Sequence, residues 1–86
     1  MSRQEIQSTV FRVLCTIAPE ADPAQLKPDV GLRDQIDLDS MDFLNFVIGL
    51  HKELRVEIPE KDYPKLATIR GCIEYFASAM GESKTG

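Results

Sequence analysis

The stretch DLDSMDFLNFVIGL, Asp37 to Leu50, decides how this chain of 86 residues is read. A serine set among acids opens a run too apolar for a single face of a surface helix. Successive residues of an α-helix turn by about 100°. With Met41 at zero, Phe43, Phe46, Val47, Leu50 and Leu54 spread over a broad face centred near roughly 195°. Met41, Leu44 and Ile48 gather elsewhere, at roughly 300–360°. A bundle of a few short helices covers the wider face and has little left for the narrower one. An apolar strip left uncovered and rimmed by charge marks a binding surface. The plainer alternative buries all eight side chains, with Phe43 at the edge. The strip begins one residue after Ser40, so whatever docks on it also reaches that hydroxyl.

Working outward, this helix is expected to start with Ser40 as N-cap and to run to about Arg55. In that role the Ser40 oxygen would accept the backbone N–H of Phe43, worth about 1 kcal/mol. Upstream, SRQE gives Ser2 and Glu5 the spacing of a capping box. Ile6, Val10, Val13, Leu14 and Ile17 then recur at three and four residues and form one stripe, and Pro19 ends that first helix. From Ala18 to Asp39 no period is sustained. Pro19, Pro23, Pro28 and Gly31 break the segment, while Leu26, Val30, Leu32, Ile36 and Leu38 are expected to pin it to the core. A loop of this length in so small a chain is often functional; it is also the crossover that two parallel-running helices need.

Downstream, Pro59 and Pro64 in VEIPEKDYPKL permit only a short helical piece between them. Thr68 caps a last helix whose stripe is Ile69, Cys72, Ile73, Phe76, Ala77 and Met80, and Gly81 stops it. The expected architecture is all-α: a small four-helix bundle of three main helices and one short one, with a long loop between the first two. Residues 1–80 are expected to form a single domain and 81–86 a disordered tail.

Composition narrows the function. At 9.7 kDa the chain has the size of one small domain. No apolar run could span a bilayer, and the first ten residues lack the apolar core of a secretion signal, so a cytoplasmic location is expected. The net charge of -4 is uneven. Seven acids lie between Glu20 and Asp42 against Lys27 and Arg33, a net of -5 that leaves +1 for the rest. That zone argues against nucleic acid and for partners with basic patches; for any single acid, a solubilising role is the plainer account. Cys15 and Cys72 make neither a disulfide framework nor a metal site, and His51 has no companions at ligand spacing. Both thiols fall in apolar helical patterns and are expected to be small core groups.

An Asp-Ser pair before an apolar run is by itself weak evidence of chemistry. As a nucleophile Ser40 would need a base held by a third group and an oxyanion site. His51, eleven residues on, faces another side of the same helix. A hydrolase built on Ser40 and His51 would turn over esters, and none of its other parts is present. Ser40 as the acceptor of a modification is better supplied. A phosphodiester there would sit at the positive end of the helix dipole, beside free backbone N–H groups.

Taken together, the motifs resemble those of the acyl carrier proteins, over about Gln4 to Met80. The anchors are LDSMDFL at the attachment serine, ELRVEIP at the end of the second helix and KLATIRGCIEYF in the last helix. No anchor is specific alone; their order and spacing are. The resemblance implies a 4′-phosphopantetheine arm, taken from coenzyme A by a separate transferase and attached to Ser40 next to Asp39. The arm's thiol holds an acyl group as a thioester, and the chemistry belongs to partner enzymes. It implies that Met41, Leu44 and Ile48 contact those partners, that Asp39 and Asp42 meet their basic residues, and that the protein works as a monomer without catalysis of its own. The broad face would border a cleft for the acyl chain.

Departures from the family pattern point to a specialised carrier in a fatty-acid, polyketide or related acyl-transfer pathway. Asp37 stands where fatty-acid carriers commonly have glycine, and Met41 where they have leucine. D-alanyl carrier proteins share Asp-Ser-Met, so an aminoacyl cargo is a further option. Asn45, His51 and Lys52 occupy positions that are often glutamate, and charge there decides which partners are admitted. Phe43 falls where the family often has a small polar residue; it adds core packing or narrows the cleft. The competing class is an unmodified helical interaction module that uses the strip alone.

Overall fold

The computed structural model describes residues 2–80. Four α-helices, α1 (Arg3–Ile17), α2 (Leu32–Gln35), α3 (Ser40–Leu54) and α4 (Ile69–Ala79), are joined by two 3-10 segments, Pro23–Gln25 and Glu60–Leu66. Among the described residues there is no strand. The long helices α1, α3 and α4, with the 3-10 segment Glu60–Leu66 as the short fourth member, form the expected all-α bundle.

The start of α1 follows from two side chains. Glu5 N–H donates to Ser2 Oγ at 3.1 Å, and Ser2 N–H donates to Glu5 Oε1 at 2.8 Å, closing the capping box. The α1 stripe then buries Ile6, Val10, Val13 and Leu14, with Ile17 at the edge. Thr9 is buried among them, its hydroxyl donating to Glu5 O at 3.0 Å, and that bond offsets the desolvation of this polar group. From α3 come Phe46, Val47, Leu50 and Leu54, and from α4 Ile69, Cys72, Phe76 and Ala77. Thr68 caps α4 by accepting the N–H of Gly71 at 2.9 Å. Gly81 and the segment 81–86 lie outside the described residues, and α4 closes through Met80, whose N–H donates to Phe76 O.

Three details differ from the sequence expectation. The segment 18–39 is not structureless: Asp22 caps the Pro23–Gln25 turn, and α2 adds one helical turn. Leu32, Ile36 and Leu38 are buried beneath it. Gln35 stitches it together, donating to the carbonyls of Lys27 and Val30 at 2.9 and 3.0 Å and accepting from Lys27 N–H at 2.9 Å. Leu32 N–H donates to Ala67 O at 2.7 Å and Arg70 N–H to Pro28 O at 3.0 Å, so the crossover is tied to the start of α4. Second, the short helix runs through Pro64 rather than stopping before it. The proline removes one i→i−3 bond from this short 3-10 segment without ending it. Third, the N-cap of α3 is Asp39, not Ser40.

Candidate functional site

The third difference shapes the site. Asp39 has extended backbone, and its Oδ1 accepts the N–H of Asp42 at 2.8 Å; Asp42 Oδ2 accepts the N–H of Asp39 at 3.4 Å. Phe43 N–H donates to the Asp39 carbonyl at 3.0 Å, so it is not available to the Ser40 hydroxyl as the sequence had suggested. Asp and Ser are both good caps, and the acid three residues after Asp39 completes a reciprocal pair that decides between them. Ser40 is thereby displaced to the first helical position. It is exposed, and its hydroxyl is not committed to capping.

The first turn of α3 retains the N–H groups of Ser40 and Met41 uncovered by the capping box. Fewer donors face a phosphate on Ser40 than the sequence suggested, and two carboxylates stand beside it. The dipole's attraction for an anion is offset by Asp39 and Asp42. A phosphodiester on the Ser40 Oγ would therefore project into solvent as a tether rather than settle into a cradle. The exposed hydroxyl meets no steric obstacle to that attachment, so the residues fit such a group.

Along the same helix the two apolar faces separate. Phe46, Val47, Leu50 and Leu54 are buried. Met41, Leu44 and Ile48 are 65%, 38% and 40% exposed, and they are the exposed large hydrophobic side chains of the described residues. Phe43 lies between the two sets: half-buried, it packs on Phe46 with ring centroids 6.2 Å apart and planes tilted by 42°. Its ring caps the core rather than standing free. Asn45 and Lys52 are exposed.

A groove of about 330 Å³ opens beside Ile48, lined by Val47, His51, Glu57, Ile58, Pro59 and Tyr63. His51 Nδ1 lies 2.8 Å from Val56 O, and a carbonyl only accepts, so Nδ1 carries the proton. That bond holds the turn after α3, where Arg55 takes a left-handed conformation with φ 57°. Eleven residues of helix separate His51 from Ser40 by about 16 Å. Among the described residues, the structure does not bring the Ser40 hydroxyl and the His51 imidazole together. The role of His51 in ending α3 left no sequence signal except its place in the last turn.

Elsewhere, Cys72 is buried, and burial pushes its thiol up to about 12. Cys15 is half-buried. No group of three or more His, Cys, Asp or Glu side chains among the described residues could hold a metal ion. No helix among them is long and apolar enough to cross a membrane.

Comparison with known proteins supplies the context for this geometry. No family model matches the chain. Acyl carrier proteins of Chlorobium phaeovibrioides and Chlorobium luteolum are each 28% identical to it over 75 residues, covering 87% of this chain and 95% of theirs. The solved structure of the acyl carrier protein from Enterococcus faecalis superposes with a TM-score of 0.73 at 25% identity, over 92% of this chain and 99% of that one. The chain is thus similar to these acyl carrier proteins along almost their full length, in sequence and in the arrangement of its helices.

Proposed function

We propose that the protein carries an acyl group as a thioester on a 4′-phosphopantetheine arm attached to Ser40, and delivers it to partner enzymes of a specialised acyl-transfer pathway. One observation carries the reading. An exposed hydroxyl at the head of α3 is followed, on the same helix, by the three exposed large hydrophobic side chains Met41, Leu44 and Ile48. Asp39 flanks the attachment point, and Asp42 adds negative charge to the docking face. Although both carboxylates belong to the capping box, each keeps an oxygen for a basic residue on a partner.

The carrier reading divides the labour between this chain and its partners. On this reading a separate transferase attaches the arm from coenzyme A. Bond making and breaking at the thioester then belongs to the enzymes that dock. The exposed strip offers them a small apolar contact, suited to binding that must be undone at each transfer.

Intact mass after incubation with coenzyme A and a broad-specificity phosphopantetheinyl transferase tests the reading. Wild type should gain the mass of one phosphopantetheine, and Ser40→Ala should gain nothing. Wild-type protein left unmodified by several transferases would favour the unmodified interaction module. Cargo follows from mass spectrometry of protein purified from its native cells, which separates fatty acyl from aminoacyl loading.

A further inference from the structure

The exposed strip on α3 changes charge along its length. Asp39 and Asp42 flank its head, whereas Lys52 and Arg55 stand four and seven residues beyond Ile48, both exposed. Steps of three and four residues from Met41 through Leu44 and Ile48 to Lys52 keep this line on one side of the helix, and Arg55 follows as its left-handed C-cap. Among the described residues, neither cation lies within ion-pair distance of a carboxylate. Glu53, the acid between them in sequence, points to the other side and pairs with Arg12 of α1. Glu57, which lines the groove with Ile48 and His51, offsets part of the charge. Both cations stand near the negative end of the helix dipole, which favours positive charge there.

From this polarity we infer that the enzymes this protein serves present carboxylates to Lys52, about 18 Å along the helix from the arm's attachment point, and to Arg55 at the helix's C-cap. The inference rests on the carrier reading for the identity of the partners as enzymes. A partner basic throughout its docking surface would gain at Asp39 and Asp42 and lose at Lys52 and Arg55. One with a basic patch near the arm's entrance and an acidic patch farther along gains at both ends, and its orientation is fixed by the pair.

Two other occupants suit the face less well. A second copy laid antiparallel would match acid to base. Three partly exposed side chains, however, fall far short of the about 1,200–2,000 Å² that a stable interface buries. An anionic lipid surface would attract Lys52 and Arg55, yet it would be repelled by Asp39, Asp42 and the net charge of -4.

Zero-length carbodiimide coupling in an extract of the native cells, on protein with and without the arm, reads the contact directly. Expected is an amide between the Lys52 amine and an Asp or Glu of a second protein, mapped by mass spectrometry, with Lys27, Lys61 and Lys65 as references. With that protein purified, Lys52→Glu should weaken binding about tenfold at low salt and far less at high salt. Reversing the mapped carboxylate to lysine should restore the affinity of Lys52→Glu. Coupling of Lys52 only to copies of this chain overturns the inference. So does binding that Lys52→Glu leaves unchanged or strengthens, or capture by phosphatidylglycerol vesicles that Lys52→Glu abolishes. The coupling needs no arm, so a failure of Ser40 to accept phosphopantetheine is seen separately, in the intact mass.

Discussion

Asp39 and Asp42 hold each other's backbone at the head of α3: each carboxylate accepts the other residue's N–H, at 2.8 and 3.4 Å. This reciprocal pair, not the neighbouring serine, starts the helix and leaves Ser40 exposed on its first turn. Asp39→Ala should cost about 1 kcal/mol, lowering Tm by about 4–8 °C in a chain of this size. Asp39→Asn keeps a capping oxygen and should cost only a few tenths. Urea and thermal melts followed by circular dichroism check both. An alanine variant as stable as wild type would mean that another group starts the helix.

The two faces of α3 call for opposite responses to the same kind of truncation. Met41 and Ile48 are exposed, so alanine at either should barely move Tm while weakening partner binding. Leu50 is fully buried, and Leu50→Ala should cost about 2–5 kcal/mol through lost burial and the cavity left behind. Differential scanning calorimetry on the three variants, with a binding assay on the first two, separates the roles. Large thermal losses from Met41→Ala and Ile48→Ala would assign the strip to the core.

How much of this was legible depended on the range of each interaction. The α1 capping box was readable because Ser2 and Glu5 advertise it at a fixed spacing, and so was the split of α3 into two faces, which follows from residue identity and helical turn alone. Asp39 as cap was missed although its signal was present: an acid three residues on, the same rule that revealed Ser2. The order in the crossover was not legible, because Leu32 N–H to Ala67 O and Arg70 N–H to Pro28 O join residues more than thirty positions apart. No local pattern announces such bonds. The balance of dipole against carboxylates beside Ser40 needed the cap geometry.

Tyr75 ties α4 to the short helix, donating its hydroxyl to Asp62 Oδ2 at 2.8 Å. Burial, and then this bond, pushes the phenol up from 10.0 to about 12. The same bond holds the Asp62 carboxyl below its ordinary value of 3.8. A folded phenol that titrates above the unfolded one contributes stability that is complete below pH about 10 and is lost as pH rises toward about 12. Asp62 acts in the opposite sense: its contribution is present above pH about 3.8 and is lost as pH falls through its depressed value. Tyr75→Phe should therefore flatten both limbs of the curve of Tm against pH. Thermal melts across the acid and alkaline ranges test this, and unchanged slopes would deny the bond any part in holding the short helix.

Buried Cys72 and half-buried Cys15 should differ sharply toward a thiol reagent. With its thiol pushed up to about 12 by burial and its Sγ–H donating to Leu66 O at 3.4 Å, Cys72 offers almost no thiolate near neutral pH. In native protein the fast-reacting thiol should be Cys15, and Cys72 should label only as the bundle opens. Peptide mapping after a timed pulse of iodoacetamide, with and without urea, distinguishes them. Rapid native labelling of Cys72 would show that α4 separates from the bundle far more often than its packing implies.

Gly71 sets helix propensity against packing. In a helix, alanine is favoured over glycine by about 1 kcal/mol, so Gly71→Ala in α4 looks stabilising from sequence. A Cβ at this position, however, would stand 2.3 Å from Lys65 O and 3.0 Å from Thr68 Oγ1, the atom that caps the helix. A carbonyl of the 3-10 segment cannot swing aside as a flexible side chain would. The segment Glu60–Leu66 must shift, loosening Leu66 in the core and the bond from Tyr75 to Asp62. Overpacking of this kind costs about 1–3 kcal/mol, more than the propensity gain. Gly71→Ala should therefore lower Tm, and it should do so less when Tyr75→Phe has already released the segment. A rise in Tm for Gly71→Ala alone would show that the short helix moves away freely, and that its contact with α4 contributes little to the fold.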